Sequence, residues 1–588
     1  MRGRSQPLGN RRFNLLLRIV SFIAAGIVLQ LFNIQIIQAP KLNDDSKKAL
    51  GVTTTLPALR GDIVDRNGKV LATTVYAYDV NVNPSAVAPF NRKVNNMDVQ
   101  ISVDQGAAEL ASVLKIDVAE IAPKLVGTSQ YANIVKAAPA LTAKRVAALD
   151  IPWVDTRAVI KRIYPNGALA GNLIGFMGSE GTALEGLELS QNKCLAGVDG
   201  QESYEKGVDG IKIPQSKVVT KAAQNGGTLM LSIDSDLQYY AQQIMTKYVR
   251  NERAEWGSAV IVEAKTGQVL AAAEAPTVDP NDPGKTAAAN RGSRVFQALF
   301  EPGSTLKTVT AAITIDQGKA TPETRVVAPY RLWVLNHTTD ITDSHLHGND
   351  KLTLTGVLRD SSNTGIVKIG QVVPYATRYN YWQKFGLGKR TAVNFNGEGS
   401  GILHGPQAPD GLTDLVSMFG QGMSVTPMQT AFLYQTIANG GVRLDPQLLM
   451  GCKQADGSVT SLEKVGPGVR AISAATARST VDMLEKVVEQ GGIGRTAGIA
   501  GYRIAGKSGT AQIKDGAGYG IRHAISFIGM APADDPKYVL AVTIYKPKTV
   551  SNSIGATPAF KAIMQQILYA YRVPPSTTKS ANIATEWK

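Results

Sequence analysis

The first strong pattern along the chain is an uninterrupted apolar run near the N-terminus. Residues 19–37 read IVSFIAAGIVLQLFNIQII and carry no charge, which is enough for a helix to span one bilayer core. The basic residues before the run are Arg2, Arg4, Arg11, Arg12 and Arg18, and the first acidic residue is Asp44. This asymmetry predicts a cytoplasmic basic tail, 1–18, a single transmembrane helix, 19–37, and an extracytoplasmic remainder.

A cleavable signal peptide is the alternative interpretation of this run. Signal cleavage sites carry alternating small residues, and residues 38–40 (QAP) fit that pattern poorly. Gln30, Asn33 and Gln35 are unusual in a lipid-facing helix. They indicate a face that contacts a partner helix, where amide hydrogen bonds avoid hydrocarbon.

The pattern after the run predicts two folded domains. Residues 38–225 alternate short apolar and polar stretches broken by Gly, Asn and Asp, which is typical of an elongated, β-rich domain. From 226 to 573, strand and helix periods alternate as in one large α/β (α+β) domain, and SAVIVEAKTGQVLAAAEAP predicts two strands around a turn. The polar tail, 574–588, is predicted to be disordered.

Composition narrows the class of protein further. The chain has 588 residues, of which 44% are hydrophobic and 19% charged, so it folds into several domains. A net charge of +15 suits an anionic neighbour such as a membrane surface or wall polymer, and no basic motif with interleaved aromatics points to nucleic acid. Cys194 and Cys452 have no metal-ligand spacing and form no disulfide framework, so we predict two buried thiols.

The stretch GYRIAGKSGTAQI, residues 501–513, fits the phosphate-binding pattern G-x-x-x-x-G-K-[ST] through Lys507 and Ser508. That interpretation needs a helix directly after Ser508, but the pattern continues as a strand. The later strand YVLAVTIYKP also ends in Lys and Pro, without the Asp that would hold Mg²⁺. A P-loop nucleotide-binding protein therefore remains only a remote alternative.

The best candidate nucleophile is Ser304. S-x-x-K recurs along the chain, but only at Ser304 does a Pro-Gly break precede an apolar helical pattern. Ser304 is thus predicted at a helix N-terminus, which favours developing negative charge. Lys307 lies one turn on, and a desolvated lysine can act as the base that a serine nucleophile needs. A plain N-cap serine with a solvated lysine is the alternative.

Two further motifs complete a plausible site. Ser361-Ser362-Asn363 interrupts a helical pattern, so Ser361 and Asn363 are predicted at the end of a loop; an Asn-rich turn without function is the common alternative. Lys507 lies in a predicted strand whose Gly509 allows close approach of a substrate backbone. An extended peptide could pair along that strand's edge. The rival K-T-G at 265–267 falls in a hairpin turn and precedes Ser304.

In this order the three motifs resemble the S-x-x-K, S-x-N and K-[ST]-G set of the class B penicillin-binding proteins. The likeness extends to R-G-x-I-x-D-R-x-G in the predicted pedestal, carried by Arg60, Gly61, Asp65, Arg66 and Gly68. It continues in G-x-E at 186–188 with L-x-G at 195–197, and in FGQGMSVTP at 419–427, which is similar to the division-type, FtsI group. The third motif reads K-S-G-T where many relatives have K-T-G-T.

This resemblance implies a fold and a chemistry. The expected fold is the penicillin-binding/β-lactamase type, an antiparallel sheet flanked by helices, preceded by a transmembrane helix and a pedestal. Ser304 would attack the penultimate D-Ala carbonyl of a peptidoglycan stem peptide, with Lys307 as the proton acceptor. Ser361 would relay protons, and Asn363 would position Lys307 and the substrate. Lys507 would act with them in the catalytic set.

The resemblance also implies how substrate is held. The backbone N–H groups of Ser304 and Thr510 would form the oxyanion hole. Lys507 and Thr510 would hold the substrate carboxylate. The implied substrate-binding residues are Asn363, Lys507, Ser508, Gly509 and Thr510.

The implied partners are peptidoglycan stem peptides on a lipid-linked precursor polymer, β-lactam antibiotics, and an FtsW-type glycosyltransferase with other divisome membrane proteins. The implied location is the bacterial inner membrane at the septum. The implied chemistry needs no cofactor or metal. His345 and His347 form an H-x-H pattern with no evident third ligand, and we interpret them as part of a surface loop. The alternatives are a β-lactamase, a D,D-carboxypeptidase, and a catalytically vestigial divisome scaffold or β-lactam sensor.

Overall fold

The computed structural model describes residues 8–94, 97–205, 218–463, 466–515 and 518–588. The α-helices of these residues are, in chain order, α1 (Leu8–Phe32), α2 (Ala39–Leu50), α3 (Val103–Leu114), α4 (Val118–Ile121), α5 (Ala140–Ala147), α6 (Gly171–Ile174), α7 (Gly186–Ser190), α8 (Asn192–Leu195), α9 (Ser235–Asn251), α10 (Arg294–Gln297), α11 (Lys307–Asp316), α12 (Leu354–Asp360), α13 (Asn363–Gly370), α14 (Tyr375–Lys384), α15 (Gly411–Val416), α16 (Pro427–Ala438), α17 (Ala474–Val488) and α18 (Ala556–Ala570).

The β-strands of the same residues are β1 (Gly51–Leu56), β2 (Ile63–Val64), β3 (Val70–Val82), β4 (Phe90–Val94), β5 (Met97–Ile101), β6 (Ala132–Pro139), β7 (Val154–Ile163), β8 (Gly200–Glu205), β9 (Val218–Lys221), β10 (Thr228–Leu231), β11 (Trp256–Glu263), β12 (Val269–Ala275), β13 (Arg325–Pro329), β14 (Arg331–Val334), β15 (Thr339–Thr342), β16 (Asn349–Thr353), β17 (Val442–Arg443), β18 (Leu449–Lys453), β19 (Val459–Thr460), β20 (Val469–Arg470), β21 (Ala505–Asp515), β22 (Gly518–Ala531) and β23 (Tyr538–Tyr545).

The chain forms two compact units, and the smaller comprises Met1–Ala58 with Gly197–Asn225. Its strands β1, β8 and β9 form an antiparallel sheet. Its N-terminal helical stretch Arg12–Ile37 is long and apolar enough to cross a membrane, by length and composition. Residues 1–7 of the predicted basic tail, which include Arg2 and Arg4, lie outside the described residues.

The larger unit comprises Leu59–Ala196 with Gly226–Lys588. Its main sheet has the strand order β12-β11-β23-β22-β21, and every pairing is antiparallel. Strand β11 is apolar on both faces: Ile261 packs with helices α9 and α18, while Val260 belongs to the core that contains α11 and α16. Because helices cover both faces, the strand reads as a continuous apolar run. The predicted antiparallel sheet flanked by helices is confirmed.

A second, seven-stranded sheet connects residues on both sides of position 226. Its order is β19-β18-β10-β2-β3-β6, with β7 also on β3, and β2 runs parallel to β10. Close backbone contact beside this pairing requires glycine, since a Cβ on Gly61 would lie 1.9 Å from Gly227 O. The predicted pedestal, 38–225, therefore contributes to both compact units, and its boundaries stay a prediction.

The pedestal motif residues bind a buried carboxylate from the later G-x-E element. Glu188 is fully buried, and its carboxylate accepts hydrogen bonds from Arg60 Nε at 2.5 Å and Arg162 Nε at 2.8 Å. Tyr164 donates a further hydrogen bond at 3.2 Å. Two guanidinium groups on one buried carboxylate leave no uncompensated negative charge. Arg60 of the pedestal motif and Glu188 of the G-x-E element therefore hold each other in position.

Asp65 of the same motif ties the pedestal segment to helix α9. Its carboxylate accepts hydrogen bonds from Asn67 N, Lys69 N and both the hydroxyl and N–H of Ser235. Burial acts to raise the pKa of Asp65, but these hydrogen bonds together hold it below the ordinary value. Gly68 closes the intervening turn with φ +80°, a conformation that favours glycine.

The prediction of two buried thiols is wrong, because Cys194 and Cys452 form a disulfide. Strand β10 pairs with β18 so that Leu229 faces Cys452, and Gly227 N donates to Cys194 O. The two cysteines are 258 residues apart and meet only through this strand pairing. Their spacing in the sequence carries no sign of it.

The C-terminal tail also differs from the prediction of disorder. Its polar groups form hydrogen bonds with the folded unit: Ser576 N donates to Gly501 O, and Thr353 N donates to Thr585 O. Trp587 Nε1 donates to Leu352 O at 3.1 Å. A polar composition is compatible with order when the backbone of the tail finds such partners.

We predict that reducing the disulfide lowers the thermal stability of the full chain in detergent. A cross-link of this kind stabilises by about 2–4 kcal/mol, mainly by constraining the unfolded chain, so the oxidised protein should melt several degrees higher than the reduced protein. Scanning calorimetry with and without dithiothreitol measures the difference. The double variant C194S/C452S is the control and should melt at the lower temperature in both conditions. Equal melting of reduced and oxidised wild type would contradict the prediction.

Candidate active site

The first motif begins with a tight turn that a neighbouring loop braces. Gly303–Leu306 forms a 3₁₀ turn that leads directly into α11. Gly303 has φ +55°, and its N–H donates to Gly420 O at 3.0 Å. A Cβ on Gly420 would lie 2.2 Å from Gly303 O, so only glycine allows this contact. The loop 419–427 thus fixes the backbone that carries Ser304.

Lys307 is the most informative residue of the site. Its side chain is fully buried, and Nζ lies 3.0 Å from Ser304 Oγ and 3.2 Å from Ser361 Oγ. Nζ also donates to Ser361 O at 2.5 Å. Burial lowers the pKa of Lys307 to about 7, against a smaller opposite effect of Asp343. A neutral amine beside a serine hydroxyl can accept its proton near neutral pH.

The second motif lies between two short helices. Ser361 ends α12 in the left-handed conformation, with φ +62°, and Ser362 caps α13 by accepting the Gly365 N–H. This turn points both oxygens of Ser361 at Lys307. Asn363 differs from the expectation: its amide donates to Thr342 O at 2.8 Å, and no hydrogen bond to Lys307 is among those of the described residues.

The third motif is in strand β21. Lys507 is fully buried, and Nζ donates to Ser508 O and Oγ at 3.2 and 3.3 Å. Burial, and then the nearby Lys307, hold the pKa of Lys507 well below its usual value. Strand β21 pairs antiparallel with β22, and Lys507 lies within this pairing opposite Ile528. This position is incompatible with the loop-to-helix turn of a P-loop.

Glycine residues allow this strand to lie close to the turn Gly303–Leu306, which carries Ser304. A Cβ on Gly509 would lie 2.8 Å from Thr305 Cγ2, and a Cβ on Gly303 would lie 3.2 Å from Thr510 O. Strand β21 is the last strand of its sheet among the described residues, and Thr510 is exposed on it. The site is thus an open strand edge beside Ser304, a geometry that suits an extended peptide.

The carboxylate of Glu301 connects two segments beside the site. Glu301 accepts hydrogen bonds from Gly422 N at 3.0 Å and from the Tyr519 hydroxyl at 3.0 Å. Burial, followed by the charge of Glu301, raises the pKa of Tyr519, so this hydroxyl stays a donor. The contact ties the β21–β22 hairpin to the loop 419–427. Motif matching alone does not reveal it.

The comparisons with known proteins agree with this geometry. Residues 55–231 match the model of the penicillin-binding protein dimerisation domain, and residues 257–565 match that of the penicillin-binding protein transpeptidase domain. The chain belongs to the penicillin-binding protein transpeptidase family. This membership confirms the resemblance and the fold that it implies.

Similar proteins include named transpeptidases. The chain is 35% identical to the penicillin-binding protein PbpB of Mycolicibacterium smegmatis, over 98% of this chain and 92% of that one. It is 32% identical to the peptidoglycan D,D-transpeptidase FtsI of Escherichia coli, over 88% and 84% respectively. The crystal structure of penicillin-binding protein 3 from Mycobacterium tuberculosis, complexed with ampicillin, superposes with a TM-score of 0.71 at 30% identity, covering 91% of this chain and all of that one.

The structure brings together most of the predicted site residues of this transpeptidase-family chain. Ser304, Lys307 and Ser361 are in direct contact, and β21 places Lys507, Ser508, Gly509 and Thr510 alongside. The pedestal residues, in contrast, belong to the separate Glu188 and Ser235 contacts described above. The individual roles expected of these residues stay predictions.

Asp343 is a residue of the site that the motifs miss. Its buried carboxylate accepts hydrogen bonds from the backbone N–H groups of Asn363 and Thr364 and from the Ser362 hydroxyl at 2.6 Å. A carboxylate at a helix N-terminus satisfies free N–H groups and the helix dipole. Asp343 therefore holds the start of α13 and with it the second motif. The local sequence, Ile341-Thr342-Asp343, is too common a pattern to identify Asp343 as part of the site.

The two histidines of the H-x-H pattern have different surroundings. His345 is exposed, as expected of a surface loop, but His347 lies between two carboxylates, 3.1 Å from Asp343 and 3.0 Å from Asp350. In the described residues no group of three or more His, Cys, Asp or Glu side chains is arranged to hold a metal ion. His347 thus supports Asp343 from the loop side.

We predict that Asp343→Asn destabilises the full chain by about 2–4 kcal/mol, because an amide cannot accept from all of these buried donors. Asp350→Asn is the matched control; the Asp350 side chain is 43% exposed, and its ion pair within the described part of the chain is with His347, so its loss should cost less than about 1 kcal/mol. Thermal melting of both variants checks this. Equal effects of the two substitutions would refute the role of Asp343.

Proposed function

We propose that the protein is a peptidoglycan D,D-transpeptidase that crosslinks septal peptidoglycan during cell division and is a target of β-lactams. The observation that carries this proposal is the buried Lys307 amine, 3.0 Å from Ser304 Oγ and beside the open edge of β21. The two relatives and the ampicillin complex described above support the substrate class.

The proposed acylation starts with proton transfer from Ser304 to the neutral Lys307 amine. The serine oxygen forms a bond to the penultimate D-Ala carbonyl carbon, and the backbone N–H groups of Ser304 and Thr510 hold the oxyanion. The carbon–nitrogen bond to the terminal D-Ala then breaks. Ser361, 3.2 Å from Lys307 Nζ, relays the proton to the leaving amine.

The ester intermediate is resolved by an amine from a neighbouring stem peptide, which forms the crosslink and regenerates Ser304. Lys507 and Thr510, with Ser508 and Gly509, bind the substrate carboxylate. The stem peptide pairs along the β21 edge, and Asn363 contacts its backbone. The hydrogen bonds of Lys507 Nζ among the described residues go to Ser508, and a bound substrate carboxylate would favour the charged form of this amine.

The proposal includes a location and partners. The Arg12–Ile37 stretch would cross the inner membrane once, with the basic N-terminus in the cytoplasm and the larger unit outside. An FtsW-type glycosyltransferase would supply the lipid-linked polymer at the septum. Gln30, Asn33 and Gln35 are the proposed contact with such membrane partners.

Two alternatives use the same site. A D,D-carboxypeptidase would resolve the ester with water, and would release terminal D-Ala without crosslinks when offered a polymer that carries acceptor amines. A vestigial scaffold or sensor would turn over neither. The contacts among Ser304, Lys307 and Ser361 favour an active enzyme, and a product analysis on such a polymer separates the three.

We predict a stable covalent adduct with benzylpenicillin. Intact mass spectrometry of the full chain in detergent should show one added penicilloyl group. Ser304→Ala should show none, while Ser112→Ala, which removes an exposed serine of another S-x-x-K on α3, should react like wild type. Unmodified wild-type protein that melts cooperatively would overturn the assignment of Ser304. Rapid loss of the adduct with penicilloate release would indicate a β-lactamase instead.

We also predict the pH dependence of this acylation. Burial lowers the pKa of Lys307 to about 7, so the amine is neutral, and active as a base, above that pH. The second-order rate constant should be level above pH 7 and fall about tenfold per pH unit below it. Stopped-flow acylation with a fluorescent penicillin measures the profile, and melting curves at each pH verify folding. A flat profile between pH 5.5 and 8 would exclude Lys307 as the base.

A further inference from the structure

The C-terminal segment 576–587, which we name the C-terminal strap, contacts the supports of both the second and the third motif. It lies after the last helix, α18, and its polar composition suggests no role. Its hydrogen bonds are nevertheless concentrated on two short stretches of the fold. These are β16 with the adjoining β13 and α12, and the residues that lead into β21 together with Asp534, whose carboxylate accepts from the hydroxyls of Ser576 and Thr578.

The end of the strap pairs with β16 as an additional strand. Thr353 N donates to Thr585 O at 3.0 Å, and Trp587 N donates to Lys351 O at 3.1 Å. Leu352 and Glu586 face each other in an antiparallel bridge between these two bonds. The other edge of β16 pairs with β13. The strap therefore covers the edge of β16 that β13 leaves open in this two-stranded sheet.

Trp587 anchors this pairing. Its indole Nε1 donates to Leu352 O at 3.1 Å and to Val326 O at 3.3 Å. Two cations lie over the ring, Arg325 at 5.6 Å and Lys351 at 5.3 Å from its centroid. Cation–π pairs add to the hydrogen bonds, so the side chain fixes the register of the strap.

The strap also packs directly on α12. Thr353, the N-cap of α12, donates from its hydroxyl to Ala584 O at 2.6 Å. A Cβ on Gly356 would lie only 1.9 Å from Thr585 O, so the strap crosses the helix where it has no side chain. Arg359, in the last turn, donates to Thr585 Oγ1 and to Glu586, both at 2.6 Å.

Helix α12 is the immediate support of Ser361. It has only seven residues and ends at Asp360, one residue before Ser361. A helix this short has little stability of its own and depends on packing. The strap contacts its N-cap, its middle and its last turn, as described above. Any movement of α12 would change the distances from the Ser361 oxygens to Lys307 Nζ.

The other end of the strap supports the third motif. Ser576 N donates to Gly501 O at 2.9 Å, and Arg503 N donates to Ser576 Oγ at 3.1 Å. Arg503 also donates to Thr578 Oγ1 at 2.7 Å. Arg503 stands two residues before the start of β21, the strand of Lys507. One covalent segment thus contacts the supports of both motifs.

We propose that the C-terminal strap is a positioning element of the catalytic site, which fixes Ser361 against Lys307 and sets the position of α12 relative to β21. The inference rests on the proposed function, because its readout is acylation of Ser304. The contacts of Ala584–Trp587 described above are with β13, β16 and α12, and none of them is with Ser304, Lys307 or Ser361, so the strap acts through α12. Without it, α12 would shift, and the proton path through Ser361 would be lost more readily than substrate binding.

The test compares the acylation kinetics of full-chain variants in detergent, using a fluorescent penicillin. Trp587→Ala should lower the limiting acylation rate constant at least tenfold, with less than a threefold change in the concentration that gives half the limiting rate. Trp587→Phe, which keeps an aromatic ring for the two cations but loses both indole hydrogen bonds, should recover part of the rate. Lys588→Ala, at the exposed terminus, is the matched control and should behave like wild type.

A second variant tests the path through α12. Gly356→Ala places a Cβ against Thr585 O and should displace the strap, with a loss of rate similar to that of Trp587→Ala. If the strap carries the effect, the combination of both substitutions should be no slower than either alone. An additive loss would mean that the two changes act separately, which overturns the inference.

The outcomes separate the inference from the function on which it rests. Wild type that forms no penicilloyl adduct would refute the proposed function. Wild type that acylates while Trp587→Ala and Gly356→Ala acylate at the same rate would refute only the positioning role, even if the variants melt at a lower temperature. If Trp587→Ala does not fold, Trp587→Phe and Gly356→Ala decide by the same criterion.

Discussion

The site depends on the burial of two lysine amines in one small region. Lys307 and Lys507 are both fully removed from solvent; burial lowers the pKa of each, and the charge of Lys307 lowers that of Lys507 further. Removing an ammonium group from water costs several kcal/mol unless the charge is compensated. The described ion pairs provide no carboxylate in contact with either amine. The fold must therefore stabilise this arrangement elsewhere, and it also holds Lys307, the proposed base, beside Ser304.

That stabilisation comes from close contacts between backbones. Gly303, Gly420 and Gly509 let the nucleophile turn, the loop 419–427 and strand β21 approach within distances that exclude a Cβ. Core packing on both faces of the sheet holds these elements. Since interiors of this density deform little, the amines cannot escape to water by a small rearrangement. The same rigidity keeps Ser304 and Lys307 within hydrogen-bonding distance before any substrate binds.

The sequence was most informative where the chemistry is local. Ser304 and Lys307 lie on one helical turn, and Ser361 sits in a visible break between two helical patterns, so periodicity placed both. The residues that it missed act over long separations: Asp343 reaches α13 from twenty positions upstream, and the two cysteines meet only through the β10–β18 pairing. The tail was predicted as disordered because composition does not show where backbone hydrogen bonds will be made. Such contacts depend on tertiary structure, which periodicity does not encode.

The disulfide has a consequence for how the chain reaches its final state. Cys194 is made 258 residues before Cys452, so during synthesis its thiol has no native partner until the chain has been made as far as residue 452 of 588. Disulfides persist in oxidising compartments outside the cytoplasm, so with the membrane orientation proposed above the bond would close only after strands β10 and β18 have both been exported and paired. The disulfide is then present only in chains in which β10 and β18 have paired. A chain that carries it has already joined the early segment around α8 to the late strand β18.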